Sequence, residues 1–366
     1  PGYLAWYVRA LLARGEAAQA ESWLEQLVRL EPDSARTAEL RAGWLVARGK
    51  YDEAIALAEG LLASEATEVE PADLDPAAET PGKAVRRVTA GAVATLLERL
   101  AETVKAAESR EPTAEQMAGK AKLLAAAEQR YRQQAAADPN GFMLLAGFLA
   151  RQDRIDEALE LCEPGWHAQT AEPVALLAVG MLRSATADAP HVARVEAKLR
   201  ELVEQKPESL ALLEALANLY DLKGDYARAQ QTYRRIIALD PKHMVALNNL
   251  ALLRSYSGHG VQESLALITR AIAAAGPRPV LLDSRASIHL ARRRPREAIE
   301  DLNEALADGP TAAMYFHLAQ AHQMAGNRAE AAAALKQARQ QGFEPSQLHP
   351  LEVEGYEKLA KELAGR

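Results

Sequence analysis

Between Leu210 and Pro241 the chain reads LALLEALANLYDLKGDYARAQQTYRRIIALDP, and the spacing of its apolar residues decides the fold. Leu213, Leu216, Ala217 and Tyr220 recur at the three- and four-residue intervals of one helical face. Gly224 marks a turn, after which Tyr226, Ala229, Tyr233 and Ile236 draw a second face and Pro241 closes the unit. The stretch therefore predicts two short amphipathic helices meeting through small residues. The pattern returns along the chain: Gly224 and Gly258 are 34 residues apart, and Gly258 and Gly326 are 68 apart. Leu216, Leu250 and Leu318 keep that spacing, as do Ala217, Ala251 and Ala319.

A helix–turn–helix unit with a 34-residue period resembles the tetratricopeptide repeat, and about eight positions of the unit match in register. The resemblance implies an all-α protein, an α-solenoid wound as a right-handed superhelix of helix–turn–helix repeats. In such an array each repeat packs only on its neighbours, so 366 residues need not divide into several globular domains. Abundant alanine and only 5% aromatic residues suit closely packed helices.

Two repeats are expected over residues 1–63, the first carrying Tyr7, Leu11, Gly15, Ala20, Leu24 and Leu27, the second Leu45, Gly49, Tyr51, Ala54 and Leu61. Residues 64–83 hold Glu65, Glu68, Glu70, Asp73, Asp75 and Glu79 with Pro71, Pro76 and Pro81, and read as a solvated acidic loop. A degenerate repeat of two long helices follows over 84–139, predicted at 84–109 and 113–137 and dividing a short N-terminal part from a longer array. About six further repeats fill 140–345, one with a turn near Ala189-Pro190. The tail, 346–366, places Val353, Tyr356, Leu359 and Leu363 on one side of a helix that would cap the open end.

Composition excludes several functions. A net charge of −7 provides no general attraction for nucleic acid. No apolar run approaches the roughly 18 residues of a membrane span; the densest, Gly141–Ala150, is ten long. Membrane insertion and nucleic-acid partners are therefore not expected. Cys162 is the only cysteine, so no internal disulfide framework exists, which fits the cytoplasm and also a periplasm. Pro1 is not an initiator residue, and the chain reads as a piece of a longer one.

No catalytic, metal or cofactor site is expected. Cys162 occupies a packing offset, and a reactive thiol needs an electropositive, partly open setting. His167 lies five residues on, a spacing that does not share a helical face with Cys162. His289 and His322 stand where other repeats carry packing aromatics and read as structural. The run Arg292-Arg293-Arg294-Pro295-Arg296 reads as a solvated inter-helix turn, because Glu297, Glu300 and Asp301 follow it directly.

The resemblance implies that the first helix of each repeat lines a concave groove. The candidate peptide-binding residues are then Glu214, Asn218, Asp221, Asn248, Asn249, Ser255, Asp283, Ser287, Phe316, His317, Gln320 and Gln323. Asparagine is a poor helix residue, so three in two adjacent repeats ask for a reason. An amide can both donate to and accept from a peptide backbone; equally, Asn218 and Asn249 could bond across adjacent helices. Family members that clamp a chaperone's C-terminal carboxylate use two asparagines with two lysines and an arginine. Asn218 and Asn249 match the asparagine offsets, but Glu214, Val280 and Ser284 hold the cation offsets, so that clamp is not carried over. Glu214, Asp221 and Asp283 favour a neutral or basic peptide.

The expected function is a non-enzymatic scaffold holding an extended peptide or a partner helix. The phrases ALNNLALL (246–253) and VLLDSRASIHLARRRPREAIEDLNEAL (280–306) also resemble large bacterial multi-repeat proteins, some of which serve secretion and envelope-polysaccharide assembly. Two alternatives stay open: a regulatory arm of an enzyme whose catalytic domain lies elsewhere, and self-association through the first repeat or the helices at 84–137.

Overall fold

Successive helices pack in pairs through most of the computed structural model, which describes residues 1–62, 89–104, 112–167, 169–184, 187–257 and 260–364. No strand occurs among these residues. Two compact units divide the chain, one centred on Pro1–Thr170 and the other on Ala171–Arg183 with Ala187–Arg366.

The first unit contains α1 (Gly2–Ala13), α2 (Ala17–Leu30), α3 (Ala35–Ala47), α4 (Tyr51–Gly60), α5 (Ala90–Thr103), α6 (Ala114–Ala137), α7 (Phe142–Arg151) and α8 (Ile155–Cys162). The acidic stretch at 64–83 lies outside the described residues. The pair read as a divider is part of this unit: α5 packs on α6 and α3, and α6 packs on α4 and α7. α5 lies within the 84–109 predicted, whose residues 84–88 and 105–109 fall outside the described residues. Thr89 caps its start by accepting from the Ala92 N–H, and Val104 leaves the helix with φ −73° and ψ 89°. α6 starts within a residue of expectation because Thr113 and Gln116 form a reciprocal capping box. A buried network ties three helices together: Glu98 of α5 accepts from the Tyr131 hydroxyl of α6 at 2.9 Å and from Arg151 of α7 at 2.8 and 2.9 Å.

The second unit contains α9 (Ala171–Ser184), α10 (Ala189–Gln205), α11 (Leu210–Leu222), α12 (Tyr226–Leu239), α13 (Met244–Tyr256), α14 (Val261–Ala275), α15 (Pro279–Ala291), α16 (Pro295–Asp308), α17 (Ala312–Ala325), α18 (Arg328–Gln340) and α19 (Val353–Ala364). Ala189-Pro190, expected in a turn, instead opens α10 behind the Asp188 cap, where proline's missing N–H is harmless. Ala217, Ala229, Ala251, Ala286, Ala298 and Ala319 are fully buried, so the helices approach without a side chain between them. The tight turns need left-handed backbone: Gly224 has φ 75° and Gly326 has φ 84°, while Arg293 takes the same conformation at φ 56°. Gly258 and His259 lie outside the described residues.

The tail does cover the last pair. Leu359, Val353 and Tyr356 join the core around Phe316 and Phe343, whose rings stack 5.1 Å apart.

Candidate peptide-binding groove

The first helices α11, α13, α15 and α17 stand side by side in the second unit. α13 packs on α15 and α15 on α17, while Asn249 of α13 bonds to Asn218 of α11. Their residues fall into three groups.

The asparagines bond chiefly to one another. Asn218 Oδ1 accepts from the Tyr233 hydroxyl at 2.6 Å and from Asn249 Nδ2 at 3.3 Å. Asn249 Nδ2 also reaches the Tyr233 oxygen at 3.1 Å, and Asn248 Nδ2 donates to Asn249 Oδ1 at 3.1 Å. Tyr233 is fully buried, and that burial drives its hydroxyl pKa upward against the opposing bond to Asn249. The result is a hydrogen-bonded strut between two repeats.

Five of the twelve candidates are buried, Asn248 and His317 among them. Ser255 and Ser287 are buried, and Phe316 is fully buried beneath Phe343 and Tyr356. Phe316 was expected on the groove surface; the chain's own tail covers it.

The acidic and remaining polar candidates meet histidines or the tail. Glu214 lies 3.5 Å from His243 Nε2, and its carboxyl is raised because burial outweighs that imidazole. Asp221 Oδ1 sits 3.1 Å from His349 Nε2. Asp283 Oδ1 sits 2.6 Å from His317 Nδ1, and the other ring nitrogen faces Glu352 at 3.3 Å. Burial works against charge on His317, but the two carboxylates prevail and push its pKa up to about 10. Burial likewise raises Glu352, yet His317 and the Tyr256 hydroxyl overcome it and leave the carboxyl below its ordinary value. Gln323 Nε2 donates to Glu362 at 2.9 Å. Gln320 Nε2 stands 3.0 Å from where a Cβ on Gly355 would be.

His349, Glu352, Tyr226 and Tyr256 were not among the predicted site residues. The one local sign was His349-Pro350: a residue before proline favours extended backbone, and His349 has φ −60° and ψ 140°.

Elsewhere the chemistry is structural. Cys162 is buried. Burial holds His289 below its usual pKa despite Asp301 nearby, and Asp301 accepts a bidentate grip from Arg285 at 2.8 and 2.5 Å. Arg292 donates to Gln262 at 2.9 Å within the basic run. A recess of about 300 Å³ lies between the starts of α4 and α6, but its Lys122 and Asp52 pair with each other at 2.8 Å and nothing reactive converges there. Among the described residues no His, Cys, Asp and Glu group could hold a metal, and no helix is long and apolar enough to cross a membrane.

Tetratricopeptide-repeat family profiles match residues 8–69, 284–345 and 210–243. No curated protein matches the chain. Among solved structures, a tetratricopeptide repeat protein from Parabacteroides merdae is 19% identical, with 65% of this chain and 93% of that one covered and a TM-score of 0.48. A thermophilic repeat protein of Thermus thermophilus is 17% identical, covering 52% of this chain and 98% of its own, with a TM-score of 0.42. Yeast Tom70 is 11% identical, covering 100% and 92% respectively, with a TM-score of 0.37.

Proposed function

We propose that the chain, which matches tetratricopeptide-repeat profiles over residues 8–69, 210–243 and 284–345, is a non-enzymatic scaffold gripping an extended peptide of a partner protein along α11, α13, α15 and α17. The observation carrying this reading is that this face already receives a peptide segment. Residues 348–352 run across it, and Asp221, Asp283 and His317 engage that segment directly or through one another. Acidic Glu214, Asp221 and Asp283 favour a partner stretch that is neutral or basic, since an acidic one would meet like charge.

A photo-crosslinking residue placed at Gln320 or Gln323 tests the reading. Crosslinks to a partner from those positions, and none from Gln231 of α12 or Arg339 of α18, are expected. The reverse pattern overturns it.

Self-association through the first repeat is a second reading, favoured by one observation. Tyr3 and Trp6 are 71% and 63% exposed and form a continuous aromatic group with Tyr7 and Trp23. Concentration-dependent sedimentation that disappears in Trp6→Glu is its expected result. Sedimentation as a monomer at every concentration removes it.

A further inference from the structure

Capping the last repeat needs only α19, whose Val353, Tyr356 and Leu359 complete the core around Phe316. The five residues before it reach much further. His349 and Asp221 are 128 residues apart in sequence and 3.1 Å apart in space, so this segment spans the face from α17 back to α11.

The imidazole of His349 is read from every side. Its Nδ1 accepts the Leu351 N–H at 3.2 Å, which assigns the proton to Nε2 and points a donor at Asp221. Tyr256 stacks on the ring at 5.2 Å and 23°, and Tyr226 tilts against it at 5.7 Å and 44°. Two aromatic faces with a carboxylate between them form a receptor for a flat donor or a cation. Three residues on, a Glu352 carboxylate oxygen lies 3.3 Å from His317 Nε2. Asp283 anchors His317 from behind at 2.6 Å, which keeps a positive group facing the carboxylate. Donor pocket and carboxylate pocket are thus fixed three residues apart on the bound chain.

We propose that Leu348–Glu352 is a resident pseudo-ligand that closes the groove, and that the partner peptide displacing it presents an imidazole or cationic side chain three residues ahead of a carboxylate. The proposal rests on the groove reading above. A tethered occupant acts at a millimolar-scale effective concentration, so a free peptide binds only as tightly as the open fraction allows. Release of the tail then switches the scaffold from closed to receptive.

The test uses the full chain and a labelled peptide with the sequence of residues 344–356, EPSQLHPLEVEGY. His349→Ala/Glu352→Gln in the protein is expected to tighten binding of this peptide about tenfold or more over wild type. A peptide carrying alanine and glutamine at those two places is expected to lose the gain. Equal binding to both proteins, or binding to neither while the variant keeps its circular dichroism, overturns the proposal. Should the double variant fail to fold, Asp221→Asn serves instead: faster amide hydrogen exchange at Leu348, His349, Leu351 and Glu352 is expected, and unchanged exchange overturns the latch.

The two readings fail separately. If the peptide never binds but Gln320 still crosslinks a partner, the groove reading stands and the pseudo-ligand falls. If the peptide binds the opened variant while crosslinks come only from Gln231 and Arg339, the groove reading falls and the proposed partner chemistry falls with it.

Discussion

Arg293 holds a backbone angle that costs an ordinary side chain energy. At φ 56° it occupies the left-handed turn position filled by Gly224 and Gly326 in other repeats. A Cβ in that region is unfavourable by roughly 1–2 kcal/mol, partly offset because glycine loses more freedom on folding. Arg293→Gly should therefore stabilise the chain by about 1 kcal/mol, read as a higher urea midpoint with unchanged slope. An unchanged midpoint would remove the strain argument. Asn249 poses the converse case. Its amide bonds Asn218 and the buried Tyr233 hydroxyl, so Asn249→Ala leaves both under-bonded and should cost about 1–2 kcal/mol. The melting temperature should fall by several degrees; an unchanged value would free that amide for a ligand.

Among the elements, α4 and α6 cross at a single glycine. A Cβ on Gly119 would lie 2.2 Å from the Tyr51 ring, closer than any two such atoms can stand. Alanine's better helix propensity recovers about 1 kcal/mol of an overpacking cost of roughly 1–3, so Gly119→Ala should destabilise by up to about 2 kcal/mol in chemical denaturation. A neutral result would mean that the Tyr51 ring swings aside freely. Helix type and pairing were legible in the sequence because periodicity reports a buried stripe directly, and α6 begins within a residue of the predicted bound, where Thr113 and Gln116 cap its start. The ends of α5 were not legible, since an alanine-rich pattern continues past the point where Val104 leaves the helix. At the candidate site, periodicity placed Asp221, Asp283 and His317 on the first helices. It gave no warning that Phe316 would be covered, because the covering rings arrive from Phe343 and Tyr356 beyond the repeat. The His349–Asp221 contact spans 128 residues, which no local pattern encodes.

For the molecule as a whole, pH should act through His317 and Glu352. Asp283 of α15 and Glu352 face the His317 ring, whose pKa rises from 6.5 to about 10 on folding. A raised pKa means that its stabilisation is complete below pH 6.5 and drains away as pH climbs to about 10. Glu352 has a lowered pKa, so its contribution is complete above about 4.5 and is lost as pH falls through the folded value. The melting temperature should hence be highest between these limits, and His317→Gln should flatten the alkaline decline; a wild-type slope in that variant would contradict the assignment. Cys162 offers a last consequence. It is the chain's single sulfhydryl and is fully buried at the end of α8, so an alkylating reagent can reach it only during the intervals when that helix parts from its neighbours. Mass spectrometry of timed iodoacetamide labelling would therefore count those intervals under native conditions. The expected rate is far below that in urea, and labelling as fast as in urea would show that α8 does not shield the sulfur.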